Sequence, residues 1–170
     1  MEFRTMRRNS QELDRESTVE ILRQGTSGVL AVAGDEGYPY AAPLSYAYDE
    51  ERERLIFHSA TKGHKVDALL REPKASFCVI GQDDVKPEEF TTRFRSVIAF
   101  GHVRMLENKD EKREAAQLLS RRYAPDMPLK AETAEIERFW NALLMFELSI
   151  EHLTGKEAIE LVRERKIRHQ

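Results

Sequence analysis

The chain has 170 residues and a mass of 19.7 kDa, the size of one domain that buries a core without disulfide or metal staples. Its 27 Lys and Arg nearly cancel its 30 Asp and Glu, which excludes the global positive field of a nucleic-acid binder. The lone cysteine, Cys78, excludes an internal disulfide framework and a cysteine-based zinc cluster, and it fits a reducing compartment.

No apolar run approaches the ~20 residues of a membrane span. The basic N-terminus, with Arg4, Arg7 and Arg8, has no apolar segment behind it, so no signal peptide is expected. A cytoplasmic protein of one domain over residues 1–170 is the expectation, with no nucleic-acid and no membrane partner.

In chain order, residues 10–24 read as a helix. Ser10 is placed to cap it, Leu13, Val19, Ile21 and Leu22 form an apolar stripe, and Gly25 closes it as a left-handed residue. Residues 28–33 are a short apolar strand that stops at the turn formers Gly34 to Gly37, and 38–48 return as a second strand of a hairpin. Pro39 and Pro43 cannot donate to a ladder, so this strand has an edge or a bulge near Pro43.

Residues 55–60 form a third strand, 61–71 a helix that must end before Pro73, and 75–80 a fourth strand. A polar loop is expected over 82–89. Residues 91–106 then alternate as a long strand bent at Gly101. Helices are expected over 110–123 and 131–140, a last strand over 143–153, and a charged C-terminal helix at about 156–168.

The fold predicted from this order is mostly β with flanking helices: a six-stranded antiparallel β-barrel spanning about 26–154. No Gly-x-Gly-x-x-Gly follows a strand, which argues against a Rossmann domain.

Two constellations carry chemistry. The stretch from Phe57 to Lys65 places hydroxyls, a glycine, His58, His64, Lys62 and Lys65 across a strand end and a helix start, where free N–H groups and the dipole favour a phosphate. The alternative is a solvated helix face. In the second, Thr91, Arg93 and Arg95 share one strand face and Thr92, Phe94 and Ser96 the other, so that one face could offer two guanidinium forks to an anion. The alternative is an exposed strand surface. His102 and His152 have no ligand pattern around them, and no metal site is expected. Cys78 reads as an inert core thiol.

These blocks, from Gly28-Val29-Leu30-Ala31 through Tyr38 to Ser45, Ile56 to Ala60, Gly63-His64-Lys65 and Thr91 to Gly101, occur in an order that resembles the flavin-binding split-barrel superfamily that includes pyridoxamine 5'-phosphate oxidase. The chain looks most like the nitroimidazole-resistance (Nim-type) reductase branch. The resemblance implies a six-stranded Greek-key split barrel, a homodimer and FMN at the subunit interface.

Carried over by position, His58, Ser59 and Ala60 would line the flavin, and Lys62, Gly63, His64 and Lys65 would lie near its phosphate. Pro43, Leu44 and Ser45 would pass beside the ring, and Thr92, Arg93, Ser96 and Val97 would complete the site. His64 stands where the oxidase has an arginine, a departure that argues against vitamin B6 oxidation. The implied activity is FMN-dependent reduction of a nitro group on a small acceptor, drawing on a separate electron donor, with His58 nearest the substrate as the catalytic residue. The alternative for His58 is a strand histidine hydrogen-bonded to backbone. The alternative for the whole protein is a split barrel that holds FMN, haem or a deazaflavin for storage, sensing or haem handling without nitroreductase turnover.

Overall fold

The computed structural model describes residues 3–168. Its strands are β1 (Ser27–Ala33), β2 (Pro39–Ser45), β3 (Ala47–Asp49), β4 (Arg54–Ala60), β5 (Lys74–Lys86), β6 (Thr91–Met105) and β7 (Leu143–Glu157). Its α-helices are α1 (Arg15–Gln24), α2 (His64–Arg71), α3 (Lys109–Tyr123), α4 (Leu129–Phe139) and α5 (Ile159–Arg168). All strand pairs are antiparallel, in the order β2-β1-β5-β6-β7-β4-β3.

That order dictates the shape. β2 and β3 lie at opposite edges of the sheet, yet only Tyr46 separates them in the chain. The sheet must therefore roll up until its two edges meet at Tyr46, which gives a split barrel. The expected strand 38–48 is thus two strands, and the sheet has seven strands rather than six. Pro39 and Pro43 fall on the edge strand β2, where a missing N–H leaves no ladder partner wanting.

Tyr46 is fully buried, donates its hydroxyl to the Leu22 carbonyl at 2.8 Å and sets its ring edge-on to Phe77 at 5.1 Å. Phe57 continues the aromatic column between Phe77 at 5.0 Å and Phe146 at 5.1 Å. Leu30, Val79, Val97 and Leu148 fill the remaining interior. A second apolar layer lies outside the barrel, where Ile56 of β4 and Met145 of β7 meet Ala115, Ala116 and Leu119 of α3 and Ile136 of α4.

The helix expected over 10–24 begins at Arg15. Asp14 caps it by accepting from the Ser17 N–H at 2.8 Å, while Ser10 lies in a short 3-10 turn. Gly25 has φ −61° and is not left-handed; Arg122 of α3 donates to the Gln24 and Gly25 carbonyls instead, at 2.9 and 3.1 Å. The polar loop expected over 82–89 is strand as far as Lys86, because Gln82 to Lys86 pair with β6 beyond a bulge. β7 runs on to Glu157, so Lys156 is in a strand and the last helix starts at Ile159. Gly101 does sit at a shift of register between β6 and β7, where a Cβ would lie 1.8 Å from the Ser149 carbonyl oxygen. Among the described residues, no helix is long and apolar enough to cross a membrane.

Candidate functional site

Side chains on β4 alternate between the two layers. Leu55 and Phe57 enter the barrel, and Ile56 faces α3 and α4. His58 and Ala60 share the face of Ile56, but they lie where the helix pair no longer covers the strand. The result is a cavity of about 620 Å³ between the end of β4, the start of β7 and the helices α3 and α4. Its floor holds His58, Ser59, Ala60 and Met145, Ser45 of β2 lies at one side, and Leu119, Ile136 and Phe139 form an apolar wall.

The polar groups in this cavity are few. Ser59 is 7% exposed, and its hydroxyl has no hydrogen-bond partner among the described residues. His58 is exposed, with no ring hydrogen bond among the described residues, so the backbone-bonded alternative for it is not what the geometry holds. Glu132, from the first turn of α4, is 5% exposed, and its Oε1 is likewise without a hydrogen-bond partner.

From Ala60 the chain runs directly to the start of α2. Gly63 is its N-cap residue, at φ 131° and ψ 167°, a conformation that essentially only glycine adopts. No side chain caps this helix, so its first N–H groups are open to an anion. Lys62 and Lys65 make no ion pair among the described residues. His64 is differently engaged: its ring stacks on Tyr40 at 4.0 Å, and its Nε2 lies 3.4 Å from Asp35. Pro43 and Leu44 precede Ser45 on β2, with Pro43 on its exposed face.

The residues of β6 are not brought to this cavity within one chain. Val97 is fully buried in the barrel, so its side chain is closed to a ligand. Arg93 is committed to Glu164 at 2.6 Å and Glu89 at 2.9 Å, which hold its guanidinium against α5 and the β5–β6 turn. The pairing with Arg95 on one anion-binding face is therefore corrected: Arg95 reaches Glu157 instead, at 3.4 Å. Thr92 and Ser96 lie on the opposite, outer face, the face of Ile98. That face is apolar across four strands, since Pro43, Val29, Cys78 and Ile98 are in register from β2 to β6. Cys78 is thus half-buried on the outside of the barrel and not in its core, and burial pushes its thiol pKa up. Among the described residues, no cluster of His, Cys, Asp and Glu is placed to hold a metal.

The family model for pyridoxamine 5'-phosphate oxidase matches residues 14–157. The chain belongs to this family. That places it in the flavin-binding split-barrel superfamily, and its rolled sheet agrees with that fold. No curated protein matches the chain.

Among solved structures, a proposed 5-nitroimidazole antibiotic resistance protein from Bacteroides thetaiotaomicron is similar at TM-score 0.73 and 21% identity, over 86% of each chain. A conserved protein of Mycobacterium tuberculosis is similar at 0.76 and 16%, over 90% of each. The FAD and haem binding protein of Mycobacterium smegmatis is similar at 0.69 and 23%, over 88% of this chain and 73% of its own. These likenesses concern the fold.

The residues present fit the flavin that the pyridoxamine 5'-phosphate oxidase family implies. The apolar cavity reaches Ala60 at the end of β4, and four residues further along the chain α2 begins at His64 without a side-chain cap, beside Lys62 and Lys65, which make no ion pair among the described residues. The cavity residues outside the sequence expectation are those of α3 and α4, Glu132 above all. A helical pattern was legible there, but nothing in it shows which side chains overhang β4.

Proposed function

We propose that the protein is an FMN-dependent oxidoreductase that reduces a small nitroaromatic acceptor of the 5-nitroimidazole type. The observation that carries this reading is that β4, whose last residue Ala60 lines the apolar cavity, leads along the chain to the uncapped start of α2: the cavity suits a flat apolar ring and the helix start a phosphate. The first N–H groups of α2, with Lys62 and Lys65, bind the phosphate, and Gly63 lets the backbone approach it. When bound, the flavin supplies the two-electron transfer. His58, on the open floor of the cavity, holds a proton on its ring for the acceptor oxygens.

The working unit in this reading is a homodimer. The outer face of Pro43, Val29, Cys78 and Ile98 is the surface a second copy covers, and Thr92 and Ser96 share that face with Ile98, so docking would carry them towards the partner's flavin. The kinship with a proposed nitroimidazole-resistance protein supports the choice of acceptor.

The purified protein is to be titrated with FMN and FAD, its absorption spectrum recorded, and metronidazole added anaerobically with a reduced donor. Flavin bands, a preference for FMN and loss of the nitro absorbance are expected. A protein that takes up neither flavin, or that shows a haem Soret band instead, overturns the reading. Flavin uptake without nitro reduction removes the acceptor.

A further inference from the structure

The strand pair β5 and β6 runs past the rest of the sheet. β1 pairs with β5 no farther than Cys78, and β7 pairs with β6 no farther than Arg95, so residues 82–94 form a two-stranded arm that pairs only with itself. Such a ribbon is marginal in water unless something packs on it. Its base is tied by Arg93 to Glu164 of α5 and by the Ala158 N–H, which donates to the Phe94 carbonyl at 2.9 Å. Its tip has no such cover. Phe90 there is 98% exposed and left-handed at φ 51°, a conformation that disfavours a bulky aromatic residue. A residue held both strained and exposed points to a contact it serves.

The exposed apolar surface is continuous from the barrel to this tip. Ile80 opposes Ser96, and Val85 opposes Thr92, so both share the outer face of Cys78 and Ile98. Val85 is 61% exposed. In the other direction the open surface stops, because Phe3 stacks on His152 at 4.4 Å and lies against Phe100 at 5.7 Å. The barrel part alone is small: four strands about 4.8 Å apart, at the seven-residue length of β1 and β2, outline on the order of 400 Å². That is about half of what each partner of a standard interface buries. The arm supplies the missing area on the same side.

The charges there suit a second copy. Asp83 of β5 and Lys156 of β7 flank Phe94 on this face, and neither makes an ion pair among the described residues. A patch that meets its own copy needs both signs. The arm as a whole carries Asp83, Asp84, Glu88 and Glu89 against Lys86 and Arg93, an acidic excess that anionic lipid repels.

We propose that this arm is a clasp with which each copy of the chain grips a second copy, Phe90 and Val85 being seated on the partner. The proposal rests on the homodimer reading above and not on the flavin. What it adds is that the arm, and not the flat barrel face alone, holds the two copies together.

The test uses the full chain in sedimentation velocity over a range of concentrations, with the fold followed by far-ultraviolet circular dichroism. Phe90→Gly removes the aromatic ring and suits the left-handed backbone, so it should leave the spectrum unchanged and weaken the dimer at least tenfold. Val85→Ser should weaken it at least threefold. Leu129→Ser should not change it, because Leu129, 62% exposed, starts α4, which packs against β4 and β7 instead. A dimer of parental affinity in Phe90→Gly overturns the clasp and leaves the homodimer reading standing, whereas a parent that stays monomeric overturns both. A loss in Leu129→Ser equal to that in Phe90→Gly also overturns the clasp, since any exposed apolar side chain would then do. So does binding of the parent to phosphatidylserine vesicles that Phe90→Gly abolishes, which would assign the arm to a membrane. A protein that takes no flavin yet pairs through Phe90 sinks the oxidoreductase reading and upholds the clasp.

Discussion

The Tyr123 hydroxyl accepts a hydrogen bond from the Tyr46 backbone N–H at 2.9 Å and lies 2.8 Å from the Tyr46 carbonyl oxygen, to which it can donate. Tyr46 is the one residue between the two edges of the rolled sheet, and Tyr123 is the last residue of α3, a wall of the cavity. A single side chain therefore ties the seam of the barrel to the roof of the site. Tyr123→Phe leaves both backbone groups of Tyr46 without that partner and should cost about 1–3 kcal/mol of stability, with weaker flavin binding because the roof loses its anchor. Urea unfolding with an unchanged m-value checks the first effect. Stability equal to the parent would mean that water takes over both bonds.

The placement of the phosphate predicts an unequal mutant series. Lys65→Ala should weaken FMN binding by roughly 1.5–3 kcal/mol, about tenfold to a hundredfold. His64→Ala should cost less, since the imidazole is already engaged by Tyr40 and Asp35. Gly63→Ala should cost about 1–3 kcal/mol through backbone strain alone, because a Cβ there meets nothing within 4 Å. Fluorescence titration of FMN into each variant ranks them; a His64 loss larger than the Lys65 loss would put the phosphate elsewhere.

Ile98 tests the proposed pairing of two copies. It is 37% exposed on the outer face, so Ile98→Asp leaves the barrel interior intact. A charge in the middle of an apolar contact should shift the protein from dimer to monomer and lower its flavin content. Light scattering after size exclusion reads the mass. A parent protein that is already monomeric refutes the pairing, as does a dimer unaffected by Ile98→Asp.

The cap of α1 gives a pH dependence. The backbone N–H of Ser17, bonded to the Asp14 carboxylate, holds the Asp14 pKa below its ordinary 3.8. A lowered folded pKa adds stability that is present above 3.8 and is lost as pH falls through the folded value. At pH 7, Asp14→Ala should cost about 1 kcal/mol and Asp14→Asn very little. The deficit of the alanine variant should shrink as the pH falls below the ordinary aspartate value, which unfolding curves at pH 7 and pH 3 compare. A deficit that is constant with pH would show that the charge of Asp14 plays no part.

The buried ion pair between Arg54 and Glu147, at 2.6 Å and with Arg54 also bonded to Asp49 at 2.8 Å, supplies a structural contrast. Arg54→Ala leaves Asp49 without this partner and Glu147 with Arg104 alone, at 3.0 Å, so the loss should fall below the about 3–5 kcal/mol of a buried charge left wholly unpaired. Calorimetric melting should show that loss, and a variant as stable as the parent would mean that water reaches the carboxylate.

Much of the architecture was legible in the chain because its signals are local. Alternation and β-branching mark β1, β4 and β6, prolines mark β2 as an edge, and Gly101 marks the bend, each through a residue's own backbone and nearest neighbours. The outer half of β5 was not legible. Gln82, Asp83 and Asp84 have no buried face to declare them a strand, and they are held by ladder bonds to β6. The start of α1 escaped for a similar reason: Ser10 and Asp14 are both competent caps, and the pairing of the chain near Leu13 with Gly155 of β7 decides between them.

The site divides along the same line. His58, Ser59, Gly63 and Lys65 form one continuous stretch, so their chemistry could be read as a motif before any fold was known. Val97 and Arg93 share their strand with true surface positions, and only the packing of the barrel and of α5 assigns Val97 to the core and Arg93 to Glu164. Glu132 and Tyr123 are remote in sequence from β4 and Tyr46. Composition and spacing mark most of the strands and helices, whereas the closing of the sheet at Tyr46 and the docking of α3 and α4 decide which side chains face the cavity, because those contacts join residues that share no local pattern.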